Sequence, residues 1–80
     1  MSRVEILEKV TVIFRDLFDD DRLDIDDTTS AEDIEEWDSL MHINLITAVQ
    51  SEFNIRFSMD DIYKMKNVGA MIDIIQKLLD

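Results

Sequence analysis

The 80-residue chain contains no cysteine, no proline, one glycine and one histidine. Without cysteine there are no disulfides, no thiolate metal ligands and no native thiol chemistry, so any thiol must come from a cofactor. A single histidine excludes a multi-histidine metal site. With so few chain breakers, a helical bundle fits better than a sheet rich in tight turns. Basic residues are also scarce: 8 Lys and Arg against 19 Asp and Glu give a formal net charge of -11. Phosphates would be repelled, which opposes binding to nucleic acid or an anionic membrane and favours protein partners with basic patches. No apolar run approaches a bilayer span, and the start lacks the charged and apolar pattern of a signal peptide; a cytoplasmic location is the expectation.

An apolar fraction of 46% suits one small core, so residues 1–80 are read as a single domain. The expected fold is all-α, a four-helix bundle with three longer helices, one short helix and a long first loop. The first helix is predicted from about Arg3 to Phe18, with Ser2 as N-cap and Ile6, Leu7, Val10, Phe14 and Leu17 at helical spacing. After Asp19-Asp20-Asp21-Arg22, Leu23 and Ile25 stand as apolar anchors among acids. Ser30-Ala31-Glu32-Asp33 predicts a capped helical turn that tucks Ile34 inward. Trp37 is expected to anchor the loop against the next helix.

That second helix is predicted to begin at Asp38 as N-cap, which puts Ser39 in the first turn. Ile43, Ile46, Val49 and Phe53 are assigned to the core, and Leu40, Asn44, Thr47 and Ser51 to an outward stripe. Phe53 to Phe57 reads as an extended connector with anchored apolar side chains. Ser58 caps a short helix running through Ile62 to about Met65, and Asn67 caps the last one. There Val68, Met71, Ile72, Ile75, Leu78 and Leu79 form the apolar stripe, with Asp73, Gln76 and Lys77 facing water. Met41, Met59, Met65 and Met71 are assigned mostly to core filling, with parting of such deformable side chains around a guest as the functional counterpart.

Two catalytic readings fail on spacing. Ser39 and His42 lie three apart on a helix, but no Gly-x-Ser-x-Gly elbow accompanies them and the chain is too small for a pocket with an oxyanion site. Acids from Asp16 to Asp27 do not follow the EF-hand order: from Asp19, the fifth position is Leu23 and the glycine position holds Asp24. A solvated loop is the ordinary meaning of such a run. No catalytic residue and no metal ligand is assigned.

Glu36-Trp37-Asp38-Ser39-Leu40, followed by an amphipathic helix ending in Glu52-Phe53 and a closing helix opened by Asn67-Val68-Gly69, resembles the acyl carrier protein family over nearly the whole chain. The resemblance implies that a phosphopantetheinyl transferase joins the 4′-phosphopantetheine arm of coenzyme A to Ser39, with Asp38 helping to orient the transferase's magnesium. The arm's thiol then carries acyl groups as thioesters between a loading ligase or acyltransferase and downstream synthases, with the carrier as a monomer. Leu40, Met41, His42, Asn44, Thr47, Ser51, Asp60 and Asp61 are the expected partner face, and His42 is expected on the helix surface or against a partner near the arm. One departure stands out. The fatty-acid type usually carries several glutamates on the outward face of this helix, whereas here Asn44, Thr47, Gln50 and Ser51 precede a lone Glu52. A carrier dedicated to a specialised lipid or secondary-metabolite pathway fits at least as well as one for fatty acid biosynthesis. A small acidic interaction module without prosthetic group and a stand-alone aminoacyl or peptidyl carrier are the other readings.

Overall fold

A computed structural model describes all 80 residues, and its chain order is α1 (Arg3–Leu17), α2 (Ser39–Phe53), α3 (Met59–Tyr63) and α4 (Val68–Leu79). Each helix starts where a short polar side chain satisfies an otherwise free amide. Ser2 accepts from the Glu5 amide and Ser58 from the Asp61 amide, both as reciprocal capping boxes. Asp38 accepts from Met41 and Asn67 from Ala70. α2 ends at Asn54, which takes the left-handed conformation (φ 53°), and Phe18 caps α1 rather than extending it.

α1 packs against both α2 and α4. Its contribution is the stripe Ile6, Val10 and Phe14, all fully buried, while Leu7 and Leu17 lie half-buried at its edges. Into this stripe α2 sends Leu45, Ile46, Val49 and Phe53, and α4 sends Val68, Met71, Ile72, Ile74 and Ile75. Removing such a side chain from water stabilises the fold by roughly 1.5–3 kcal/mol each. The buried residues form one continuous core cluster, which Ile34, Trp37, Phe57 and Met65 join from outside the helices.

The core phase of two helices differs from the sequence expectation. Ile43 is 63% exposed and Leu45 takes its place inside. Both cannot face inward, since residues two apart on a helix point about 200° apart. In α4, Leu78 and Leu79 are exposed because the helix runs past the end of the core, and Ile74 is buried instead. Met59, expected as filler, is 69% exposed in the first turn of α3; Met65 and Met71 are buried and Met41 is half-buried. α3 stops at Tyr63, short of Met65. Ser30 to Asp33 closes as a hydrogen-bonded turn rather than a helix, with Ile34 buried behind it.

The long loop between α1 and α2 is stapled to α4. The Val68 amide donates to the Thr29 carbonyl (2.8 Å) and the Gly69 amide to the Asp27 carbonyl (2.9 Å). A Cβ on Gly69 would stand 2.8 Å from that same carbonyl oxygen, so the close approach requires glycine. Arg3 reinforces the junction from α1, reaching the Gly69 carbonyl, Asp27 and Asp73. Loop acids serve the turns themselves: Asp26 accepts from Thr28 and Thr29, and Asp24 pairs with Arg15. Leu23 and Ile25 lean on the core between them.

Candidate functional site

The junction of loop and α2 is built on Trp37. Its ring is buried and meets Phe14 edge-on, with centroids 5.2 Å apart, which ties the last loop residues to the centre of the core. Asp38 turns the chain into the helix and Ser39 follows, both side chains exposed. The amides of Ser39 and Leu40 have no acceptor, since the first intrahelical bonds start beyond them and Asp38 takes the Met41 amide. The neighbouring polar side chains bond elsewhere, the Asp38 carboxylate accepting the Met41 backbone amide, the Trp37 indole N–H donating to His42 and the Asn44 amide to the Met41 sulfur, and none takes the Ser39 hydroxyl.

An open cleft of about 780 Å³ begins at this serine and is walled by Trp37, His42, Ile43, Tyr63, Met65 and Lys66. His42 departs from the exposed position expected for it. It is half-buried, its ring lies against Trp37 (centroids 5.9 Å apart, planes 28°), and its Nδ1 accepts the indole N–H at 3.1 Å. Burial lowers its pKa below the ordinary histidine value, and no carboxylate bonds it from behind. An imidazole in that state, bonded to an indole, is not set up to activate Ser39 as in a hydrolase.

The expected partner face divides by exposure. Leu40, Asn44, Thr47, Ser51 and Asp60 are exposed, while Met41, His42 and Asp61 are half-buried. Thr47 returns its hydroxyl to the Ile43 carbonyl. Both acids of α3 are already engaged. Asp60 pairs with Lys64 at 2.9 Å, and Asp61 accepts the Ser58 amide, a bond that holds its carboxyl below the usual carboxylate range. Sequence reasoning missed Ile43 (63% exposed) and Tyr63 (78%), which share the cleft with Ser39 and, with the adjoining Leu40, put exposed apolar surface beside it.

The free hydroxyl, the two unpartnered amides and the positive end of a fifteen-residue helix together suit a phosphodiester on Ser39. The adjoining cleft gives room for a long substituent.

Residues 8–75 match the family model described as "Phosphopantetheine attachment site", a span that includes Asp38-Ser39-Leu40. Among solved structures, the holo acyl carrier protein from Geobacter metallireducens, determined by solution NMR, is similar at 43% identity and a TM-score of 0.87, over 92% of this chain and 85% of that one. No curated protein matches the chain. Sequence span, helix order and fold agree, and the chain belongs to the acyl carrier protein family, whose prosthetic group is 4′-phosphopantetheine.

Proposed function

We propose that Ser39 is the attachment point of the arm and that residues 1–80 act as one carrier domain, itself without catalytic activity. Carriage of acyl groups is the function of the family and of this chain. The observation that carries the assignment to Ser39 is the comparison of the five serines. Ser2 and Ser58 spend their hydroxyl oxygens on helix caps, and Ser30 faces the Asp33 carboxylate. Ser51 lies in the last turn of α2, where the helix dipole disfavours a phosphate. Ser39 alone combines a free hydroxyl with the favourable end of a long helix.

When bound, the arm supplies the thiol that this cysteine-free chain lacks. The chain's own residues hold and present it. Asp38 and the Trp37 anchor fix the start of α2, so the hydroxyl is presented outward for a transferase that brings its own base and magnesium, with Asp38 beside it. The free amides of Ser39 and Leu40 face the charge that attachment introduces. Tethering then replaces diffusion from bulk by a local effective concentration as successive enzymes are visited.

Family members work with phosphopantetheinyl transferases and acyl-handling enzymes. For this chain we place the docking face on Leu40, Met41, His42, Asn44, Thr47 and Ser51, with Asp60 and Asp61 at its edge. The uncharged outward stripe and the engaged acids of α3 support a carrier read by dedicated partners of a specialised lipid or secondary-metabolite pathway, and we place it in the cytoplasm as a monomer. Incubation with coenzyme A, magnesium and a broad-specificity transferase, followed by intact-mass measurement, tests the attachment. Gain of one phosphopantetheinyl group by the wild type and none by Ser39→Ala is expected; a gain that survives Ser39→Ala overturns it.

A further inference from the structure

Trp37 and His42 form a polar contact that the carrier reading does not use. The indole nitrogen only donates, so the His42 Nδ1 that meets it at 3.1 Å must be the bare, accepting nitrogen. The imidazole proton is thereby left on Nε2, and nothing in the chain accepts it. His42 follows Ser39 by three residues on α2, which makes the two side chains neighbours on the helix surface, and both line the same cleft. A phosphodiester on Ser39 Oγ introduces acceptor oxygens one helical turn from an N–H donor that has no partner.

We propose that His42 is a positioning residue for the arm: held by Trp37 at Nδ1, it donates its Nε2–H to a phosphodiester oxygen on Ser39. The inference rests on the assignment of the arm to Ser39. The contact links the first atoms of the arm, through His42 and Trp37, to Phe14 in the core, and so fixes the direction in which the flexible remainder leaves the protein. Other charged and titratable groups face the same space. The Asp38 carboxylate is turned to the Met41 amide, Tyr63 offers a hydroxyl across the cleft, and Lys66 is exposed and in no ion pair. Lys66 is the rival phosphate partner, but as a flexible point charge it fixes no direction.

The test uses the full chain, 15N-labelled, before and after loading with phosphopantetheine, with intact mass confirming the load. In both forms at neutral pH, long-range 1H–15N spectra are expected to show His42 protonated at Nε2 and bare at Nδ1. Loading is expected to slow exchange of the Nε2 proton by at least about tenfold, the least that a hydrogen bond to a charged acceptor gives. The 31P resonance of the loaded protein is expected to move in His42→Gln and to stay in Lys66→Gln. Trp37→Phe keeps an aromatic anchor but drops the indole N–H; it is expected to admit the Nδ1–H tautomer and lose the slowed exchange. A protonated Nδ1 in the wild type, unchanged exchange on loading, or a 31P response to Lys66→Gln alone overturns the inference while leaving the attachment intact. Absence of any mass gain overturns both.

Discussion

At the scale of single residues, the site depends on which polar groups are committed and which are free. Asp38, Ser2, Ser58 and Asn67 each satisfy a helix amide, so their roles follow from local chemistry. Ser39 is distinguished by having no such commitment. His42 illustrates the opposite case, a residue whose state depends on the contact with Trp37 and on its burial beside it. Burial lowers its pKa, so the unfolded chain takes up its proton first as pH falls. Stability owed to His42 is therefore complete above its unfolded value of 6.5 and is lost as pH drops from there toward the lower folded value. Urea midpoints of the wild type and His42→Gln, taken at about pH 7.5 and about pH 5.5, are expected to converge at the lower pH, because only the wild type carries this proton linkage. A constant or widening gap contradicts the assignment of His42 as the half-buried, neutral partner of Trp37.

At the scale of elements, legibility from sequence followed the range of the forces involved. Caps and helix starts were readable because they are settled within four residues. Ser2, Asp38, Ser58 and Asn67 stand where that chemistry predicts. The inward phase of α2 was not readable, because apolar residues lie nearly all around its first half: Leu40, Met41, Ile43, Leu45 and Ile46 leave no clean polar face. Packing against α1 decided the phase, and it chose Leu45 over Ile43. Likewise the reach of α4 beyond the core, which exposes Leu78 and Leu79, is a property of the assembled bundle. Within the candidate site, Asp38, Ser39 and Leu40 were legible as a motif, whereas Tyr63 and the burial of His42 required the cleft to exist. The staple of the long loop onto α4 was also invisible in sequence, since it is made by backbone groups of Asp27, Thr29, Val68 and Gly69. Gly69→Ala pushes a methyl against the Asp27 carbonyl, and the expected destabilisation is about 1–3 kcal/mol by chemical denaturation, as for other overpacked sites. An unchanged midpoint contradicts the staple. On the outward face, substitutions at Leu40, Asn44 or Thr47 are expected to slow loading by partner enzymes more than they lower the melting temperature, because all three are exposed. Unchanged loading kinetics with a lowered melting temperature is the contrary result.

At the scale of the whole molecule, charge sets the conditions under which this bundle folds and docks. With 19 acids against 8 bases, repulsion among surface carboxylates opposes compaction. Its ion pairs lie at the surface, where each contributes little. Salt screens the repulsion at a Debye length of about 10 Å at 0.1 M, so moderate sodium chloride is expected to raise the melting temperature. For a domain of this size, about 1 kcal/mol of relief corresponds to about 4–8 °C. A fall in melting temperature with salt indicates that the surface pairs outweigh the repulsion. The same charge is distributed unevenly: α2 contributes only Glu52, which pairs with Lys9, while acids crowd the loop before it. Partners that reach Ser39 therefore meet the exposed apolar side chains of Leu40, Ile43 and Tyr63 on the helix side and the acids Glu35, Glu36 and Asp38 on the loop side.

Everything functional here depends on one hydroxyl among five serines accepting the arm. Fragmentation mass spectrometry of the protein after loading from coenzyme A locates that residue directly. Digestion at arginine yields a peptide spanning Leu23 to Arg56 that contains Ser30, Ser39 and Ser51 together, so backbone fragments within it discriminate the three. The phosphopantetheinyl group is predicted on Ser39 alone; its recovery on Ser30, Ser51 or a serine outside this peptide would contradict the account.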